Sequence, residues 1–206
     1  MWKIFKKTNK AFTLIETLVA ISIFSLSVLG LMSVLASGLS NITYAKRKMT
    51  ADYLAQEGIE YIRNMRDTYV LYSSDTQTGW NAFNVKVAGA IFPSGNTICA
   101  TTNGCYLNTD GLSYSVPSSM AMTLLIPIAC TNTTCSNAPL LYDSGNDLLW
   151  GGKYNYTLGT QSGFIRTIKV NQISANETRI FSIVSWQQGS GTYNTTFSED
   201  LFNWVE

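Results

Sequence analysis

The sequence predicts an α+β chain: one long N-terminal helix, half of it spanning a membrane, packed against a head built on antiparallel strands. Three observations carry that expectation. Thr17 to Ala45 is a run of twenty-nine residues without a formal charge. Pro93 is the first proline, so nothing breaks a helix before it. From Phe164 onward, three runs rich in β-branched and aromatic residues alternate with short turn-forming segments, the pattern of an antiparallel meander.

The first element is a basic leader. Lys3, Lys6, Lys7 and Lys10 give residues 1–11 a charge of +4, whereas residues 12–206 carry ten basic and thirteen acidic side chains, or −3. The uncharged run behind the leader exceeds the roughly 20 residues that a helix needs to cross a bilayer. Lysines in front of it place the N-terminus in the cytoplasm and the rest of the chain outside. A secretory signal peptide is a poorer reading, because its apolar region runs only about 7–15 residues. Glu16 interrupts the apolar stretch near its start, at a cost in lipid unless a positive partner arrives through processing or assembly.

Positions 10–21, Lys-Ala-Phe-Thr-Leu-Ile-Glu-Thr-Leu-Val-Ala-Ile, resemble the class III leader of type IV pilins and type II secretion pseudopilins. The resemblance implies a type IV pilin-like fold and cleavage between Ala11 and Phe12 by a prepilin peptidase, with N-methylation of Phe12. It also implies pairing of Glu16, fifth residue counting from Phe12, with the new amine of a neighbouring subunit. Ala11 stands where the family usually has Gly, which puts the efficiency of cleavage in question. Leu54 to Arg66 is similar to the corresponding helix of minor pilins of the PilV type. The implied partners are the peptidase, other pilin subunits, an inner-membrane assembly platform and an assembly ATPase acting indirectly. The implied location is the cytoplasmic membrane, then a surface filament.

Beyond the apolar run, Ala51, Leu54, Ala55, Gly58, Ile62 and Met65 recur at three- and four-residue steps, an amphipathic stripe. One helix from 13 to 67 would be about 80 Å long. The expected division is a leader (1–11), a membrane or filament-core half-helix (12–39), an amphipathic half (40–67) and an exported head (68–206). Residues 68–160 read as loop-rich with short strands, at Met120–Ile128 and Tyr154–Leu158. Strands at Phe164–Ile173, Arg179–Gln187 and Thr192–Phe197 follow, with Leu201, Phe202 and Trp204 as an apolar tail docked on the sheet or helix.

Four cysteines, Cys99, Cys105, Cys130 and Cys135, fall in the exported region, where disulfides are favoured over zinc. Three connectivities exist, and the spacings favour the local pairs Cys99–Cys105 and Cys130–Cys135. Asp143 and Asp147 flank a Ser-Gly-Asn turn and are weak calcium candidates beside the plainer reading of a solvated turn. No other metal and no cofactor is expected. Five Asn-x-Ser/Thr sequons occur in a segment rich in Asn and Thr, where chance supplies several.

Composition narrows the function. There is no histidine, which removes the Ser-His-Asp and Cys-His arrangements. An enzyme would need a Ser-Lys pair or paired carboxylates, and Lys86, Lys153 and Lys169 of the head stand in no recognisable motif. The −3 of residues 12–206 gives no basic patch for nucleic acid. The chain reads as a structural subunit without catalysis, a minor pilin or pseudopilin. The alternative is a membrane-anchored extracellular binding protein that never polymerises.

Overall fold

The computed structural model describes residues 12–93, 95–108, 125–145 and 152–203. Its backbone forms two compact units, Met1–Lys46 and Arg47–Glu206, and the helix α1 (Leu14–Leu71) contributes to both. Within the first unit the described residues are helical from Leu14, and their large apolar side chains face outward.

The second unit is the head. In it, α1 buries Ala51, Leu54, Ala55, Gly58, Ile62 and Met65 against a sheet, the stripe that the residue spacing marks out, together with Ile59 and Thr68. Gly58 sits at the closest approach. A Cβ there would lie 2.4 Å from Ser182 Oγ and 3.0 Å from Ile168 Cδ1, so only a bare backbone lets the helix settle this deeply.

The strands are β1 (Cys105–Asn108), β2 (Ile126–Ala129), β3 (Pro139–Tyr142), β4 (Tyr154–Asn155), β5 (Thr160–Ser174), β6 (Glu177–Gln188) and β7 (Gly191–Phe202). All the described pairings are antiparallel. β5, β6 and β7 form the meander, while the other edge of β5 takes β3 along its first half and β1 at Ile168. The period of two is clear in β6, where Thr178, Ile180, Ser182, Val184 and Trp186 are buried and the residues between them are not.

Several local expectations need correction. The meander strands are longer than expected, because Thr160–Ser162 pair with β3 and Ser198–Phe202 continue along β6. Leu201 and Phe202 therefore end β7 rather than forming a tail, and Trp204 lies outside the described residues. Tyr154–Leu158 shortens to the two residues of β4, because Asn155 Oδ1 accepts from the N–H groups of Thr157 and Leu158 and turns the chain. Of Met120–Ile128, residues up to 124 lie outside the described set and β2 begins at Ile126.

The largest departure from a loop-rich reading is a second helix, α2 (Thr76–Ala88). Asp75 caps it, accepting from Thr78 N at 2.9 Å, and Gly89 ends it in the left-handed region at φ 82°. Its stripe of Trp80, Phe83, Asn84, Val87 and Ala88 covers the sheet near the β5–β6 turn. There Trp80 Nε1 donates to Ala175 O at 2.7 Å, and Asn84 Oδ1 accepts from Thr178 and Gln172.

Candidate processing and assembly site

The segment around the expected cleavage point begins, among the described residues, at Phe12; Ala11 lies outside them. Phe12 is exposed, and Thr13 is the residue immediately before α1. Thr13 and Glu16 form a capping box. Thr13 N and Thr13 Oγ1 both donate to Glu16 Oε2 at 2.8 Å, and Glu16 N donates back to Thr13 Oγ1 at 3.4 Å. Among the described residues no bond is made to Glu16 Oε1. The carboxylate is thus held at the helix start, the end at which the backbone dipole favours negative charge.

After Glu16 the helix face carries Leu18, Val19, Ile21, Ile23, Phe24 and further apolar side chains, all exposed. Among the described residues α1 alone is long and apolar enough to cross a membrane, and none of its apolar window is buried. Such a surface needs lipid or other helices around it. Ser22, Ser27, Ser37 and Thr43 do not spoil it, because each hydroxyl donates to a carbonyl one turn back.

In the head, the four cysteines form two disulfides. Cys99–Cys105 ties a short helical turn, Ile98–Ala100, to β1 within the main core. Cys130–Cys135 closes the loop after β2 and packs with Ala138, Tyr106, Tyr156 and Ile165. Asp143 uses its Oδ1 to accept from Gly145 N at 2.8 Å, a turn held by its own side chain. Asp147 lies outside the described residues, and among these no group of three His, Cys, Asp or Glu side chains gathers to hold a metal ion. Lys86, Lys153 and Lys169 are spread over the last turn of α2, the approach to β4 and the middle of β5.

Sequence reasoning passed over the polar contacts that fasten α1 to the sheet. Arg166 of β5 is buried, and its Nη1 reaches Glu57 Oε2 at 2.5 Å and Leu54 O at 3.2 Å. Its guanidinium also lies 5.4 Å from the Tyr61 ring centroid and 5.9 Å from that of Tyr156. Burial raises the pKa of the Tyr61 hydroxyl, and the charge of Glu57 adds to that effect; burial raises Tyr156 too. Along β7, Asp52 accepts from Thr195 at 2.7 Å, Arg63 makes a two-pronged pair with Glu199 at 3.0 and 2.6 Å, and Arg66 donates to Phe202 O at 3.1 Å. One signal was present in the strand pattern: Phe164, Arg166, Ile168 and Val170 alternate, so the arginine occupies a core-facing position.

Comparison with known proteins supports the N-terminal reading and stops at the head. Residues 6–39 match the family model described as the prokaryotic N-terminal methylation motif. That match supports a type IV pilin-like protein with a leader of the kind that prepilin peptidase processes, and families with this motif are structural rather than enzymatic. The long apolar helix followed by an antiparallel head is the α+β arrangement of that fold. No curated protein and no solved structure matches the chain.

Proposed function

We propose that the chain is a minor pilin or pseudopilin, cut between Ala11 and Phe12, N-methylated at Phe12 and assembled laterally into a type IV pilus or a related filament. The observation that carries the proposal is the methylation motif over residues 6–39 standing at the start of an otherwise uncovered apolar helix. In this reading residues 12–39 are the membrane and filament-core half of the helix, residues 40–67 carry the head, and residues 68–206 complete it outside the cell. The likeness of Leu54–Arg66 to minor pilins of the PilV type favours a minor subunit. The partners are the peptidase, the inner-membrane platform and other pilins.

The capping box gives Glu16 a defined place in assembly. Cleavage creates a positive amine at Phe12, and Glu16 Oε1, which accepts no bond among the described residues, offers that amine on a neighbouring subunit an acceptor. A paired charge in an apolar filament core costs far less than a lone one.

The test is the N-terminal residue of the membrane-extracted protein, determined by mass spectrometry with and without the host's prepilin peptidase. N-methylated Phe12 that depends on the peptidase is the expected result. An intact Met1 in the presence of the peptidase overturns the proposal in favour of an anchored extracellular binding protein.

A further inference from the structure

The end of the head at which the chain enters it carries a row of aromatic side chains beside basic ones. Tyr142 of β3 meets Tyr154 of β4 at 5.1 Å between ring centroids, and Tyr154 meets Phe164 of β5 at 6.1 Å. Phe164 meets Trp186 of β6 at 6.3 Å, and Trp186 stacks on Tyr193 of β7 at 5.8 Å. The middle of the row, Phe164 and Trp186, is buried, whereas Tyr142 and Tyr193 at its two ends are 37% and 39% exposed. Arg47, the first residue of the head unit, reaches the same level. Its Nη1 donates to Gln187 O at 2.6 Å, one residue from Trp186, and lies 4.0 Å from the place a Cβ would take on Gly163. Lys48 beside it is exposed.

We propose that this rim is a lipid-facing surface. While the chain resides in the membrane, Tyr142, Tyr193, Arg47 and Lys48 rest on the headgroups of anionic phospholipid. The inference rests on the reading that the uncharged run lies in a bilayer. Ala45 ends that run and Arg47 comes two residues later, about 12 Å along the helix from residue 39, so its long side chain stands near the headgroup layer. Tyrosines with an apolar ring and a polar tip settle at headgroup depth. Arginine and lysine there complement lipid phosphate, an attraction that weakens with salt. Asp143 next to Tyr142 opposes it at that end of the row, so the Tyr193 end should lie deeper.

Nitroxide labels on the full chain in vesicles test the idea. All four native cysteines are in disulfides, so a single new thiol takes the label. Three labelled variants suffice: Ser27→Cys in the apolar run, Ser190→Cys in the exposed turn beside Tyr193, and Thr76→Cys at the start of α2. Collision with lipid-soluble oxygen is compared with collision against a water-soluble nickel chelate.

The Ser27 label should report hydrocarbon in every vesicle. In phosphatidylcholine containing phosphatidylglycerol, the Ser190 label should show an oxygen-to-nickel ratio well above that of the Thr76 label. That excess should shrink in phosphatidylcholine alone, with added salt, in Lys48→Gln and in Tyr193→Ser. A Ser27 label in lipid with a Ser190 label as aqueous as Thr76 overturns the rim while leaving the membrane reading intact. An aqueous Ser27 label overturns both. Protection of Ser190 that disappears on diluting the protein in lipid assigns the rim to contact with a second copy and overturns the lipid proposal.

Discussion

Removing Glu57 should damage the head more than removing its partner Arg166, because the two ends of the pair are solvated differently. The Arg166 side chain is 2% exposed and that of Glu57 38%. Glu57→Ala leaves a guanidinium in the core with only Leu54 O and two aromatic faces to hold it. Stranding a buried charge costs about 3–5 kcal/mol. Because water reaches the Glu57 side, the lower figure of about 3 kcal/mol is the expectation here. Arg166→Met keeps most of the volume and leaves a carboxylate that can turn toward solvent. Its loss is the ion pair and two cation–π contacts, together about 1–2 kcal/mol after that solvation.

For a head of this size, 1 kcal/mol moves the midpoint by roughly 2–4 °C, so Glu57→Ala should lower Tm by about 6–12 °C and Arg166→Met by about 2–8 °C. The double variant should lie near Arg166→Met, because the stranded charge is gone in both. Thermal melts of the full chain in a mild non-ionic detergent, followed by near-ultraviolet circular dichroism, read the head and not the apolar helix. Equal losses in the two single variants, or a larger loss for Arg166→Met, would refute the argument from burial.

Four further outcomes can be measured. Gly58→Ala should gain up to about 1 kcal/mol of helix propensity and lose more to crowding against Ser182, Ile168 and Arg166, for a net loss of about 1 kcal/mol in the same melt. Gly38→Ala, with nothing within 4 Å of the added carbon, should not lower that melt. The hydroxyls of Tyr61 and Tyr156 have raised pKa values, chiefly from burial, so the unfolded chain releases their protons first. Their stabilising contribution is complete below the ordinary tyrosine value of 10.0 and is lost as pH rises toward the folded-state values. Absorbance at the phenolate band should therefore show exposed tyrosines titrating first and these two only as the head unfolds; a single reversible step for all eleven tyrosines would contradict it. Glu16→Ala should still insert in the membrane but be scarce in sheared filaments, and normal incorporation would sink the pairing with a neighbouring amine.

The parts of this fold that were legible in the sequence are those written in long repeats. The stripe from Ala51 to Met65 covers four turns, and each of its six marked residues is buried. The meander was legible because runs rich in β-branched and aromatic residues are separated by short turn-forming segments at Ala175–Glu177 and Gly189–Gly191. α2 was hidden by its own polarity. Thr76, Gln77, Thr78 and Asn81 resemble the loop composition around them, and the decisive marks were single residues, the Asp75 cap and the Gly89 stop. β1 to β4 are at most four residues each and gain their order from pairing with one another and with β5. Nothing local in so short a segment announces a distant partner. The capping box at the start of α1 was not read from the sequence, which marked Glu16 only as a charge in an apolar run, although it needs only Thr13 and Glu16, three residues apart.

The contacts between α1 and β7 decide what the head does when the helix is pulled. Asp52 and Arg63 are eleven residues apart on α1, three full turns, and so share a face. Their partners Thr195 and Glu199 lie four residues apart on one side of β7. Helix and strand therefore advance together, by about 16 Å and about 13 Å over the same interval, and the contacts stay in register. With Arg166–Glu57 on β5 and Arg47 on the β6 carbonyl, α1 is bonded to three consecutive strands. A load applied along α1 is then shared in shear by several charge-assisted bonds and the buried stripe, rather than peeling one contact at a time. In the proposed reading, a subunit drawn out of a membrane by its helix needs such an attachment, and these bonds supply it.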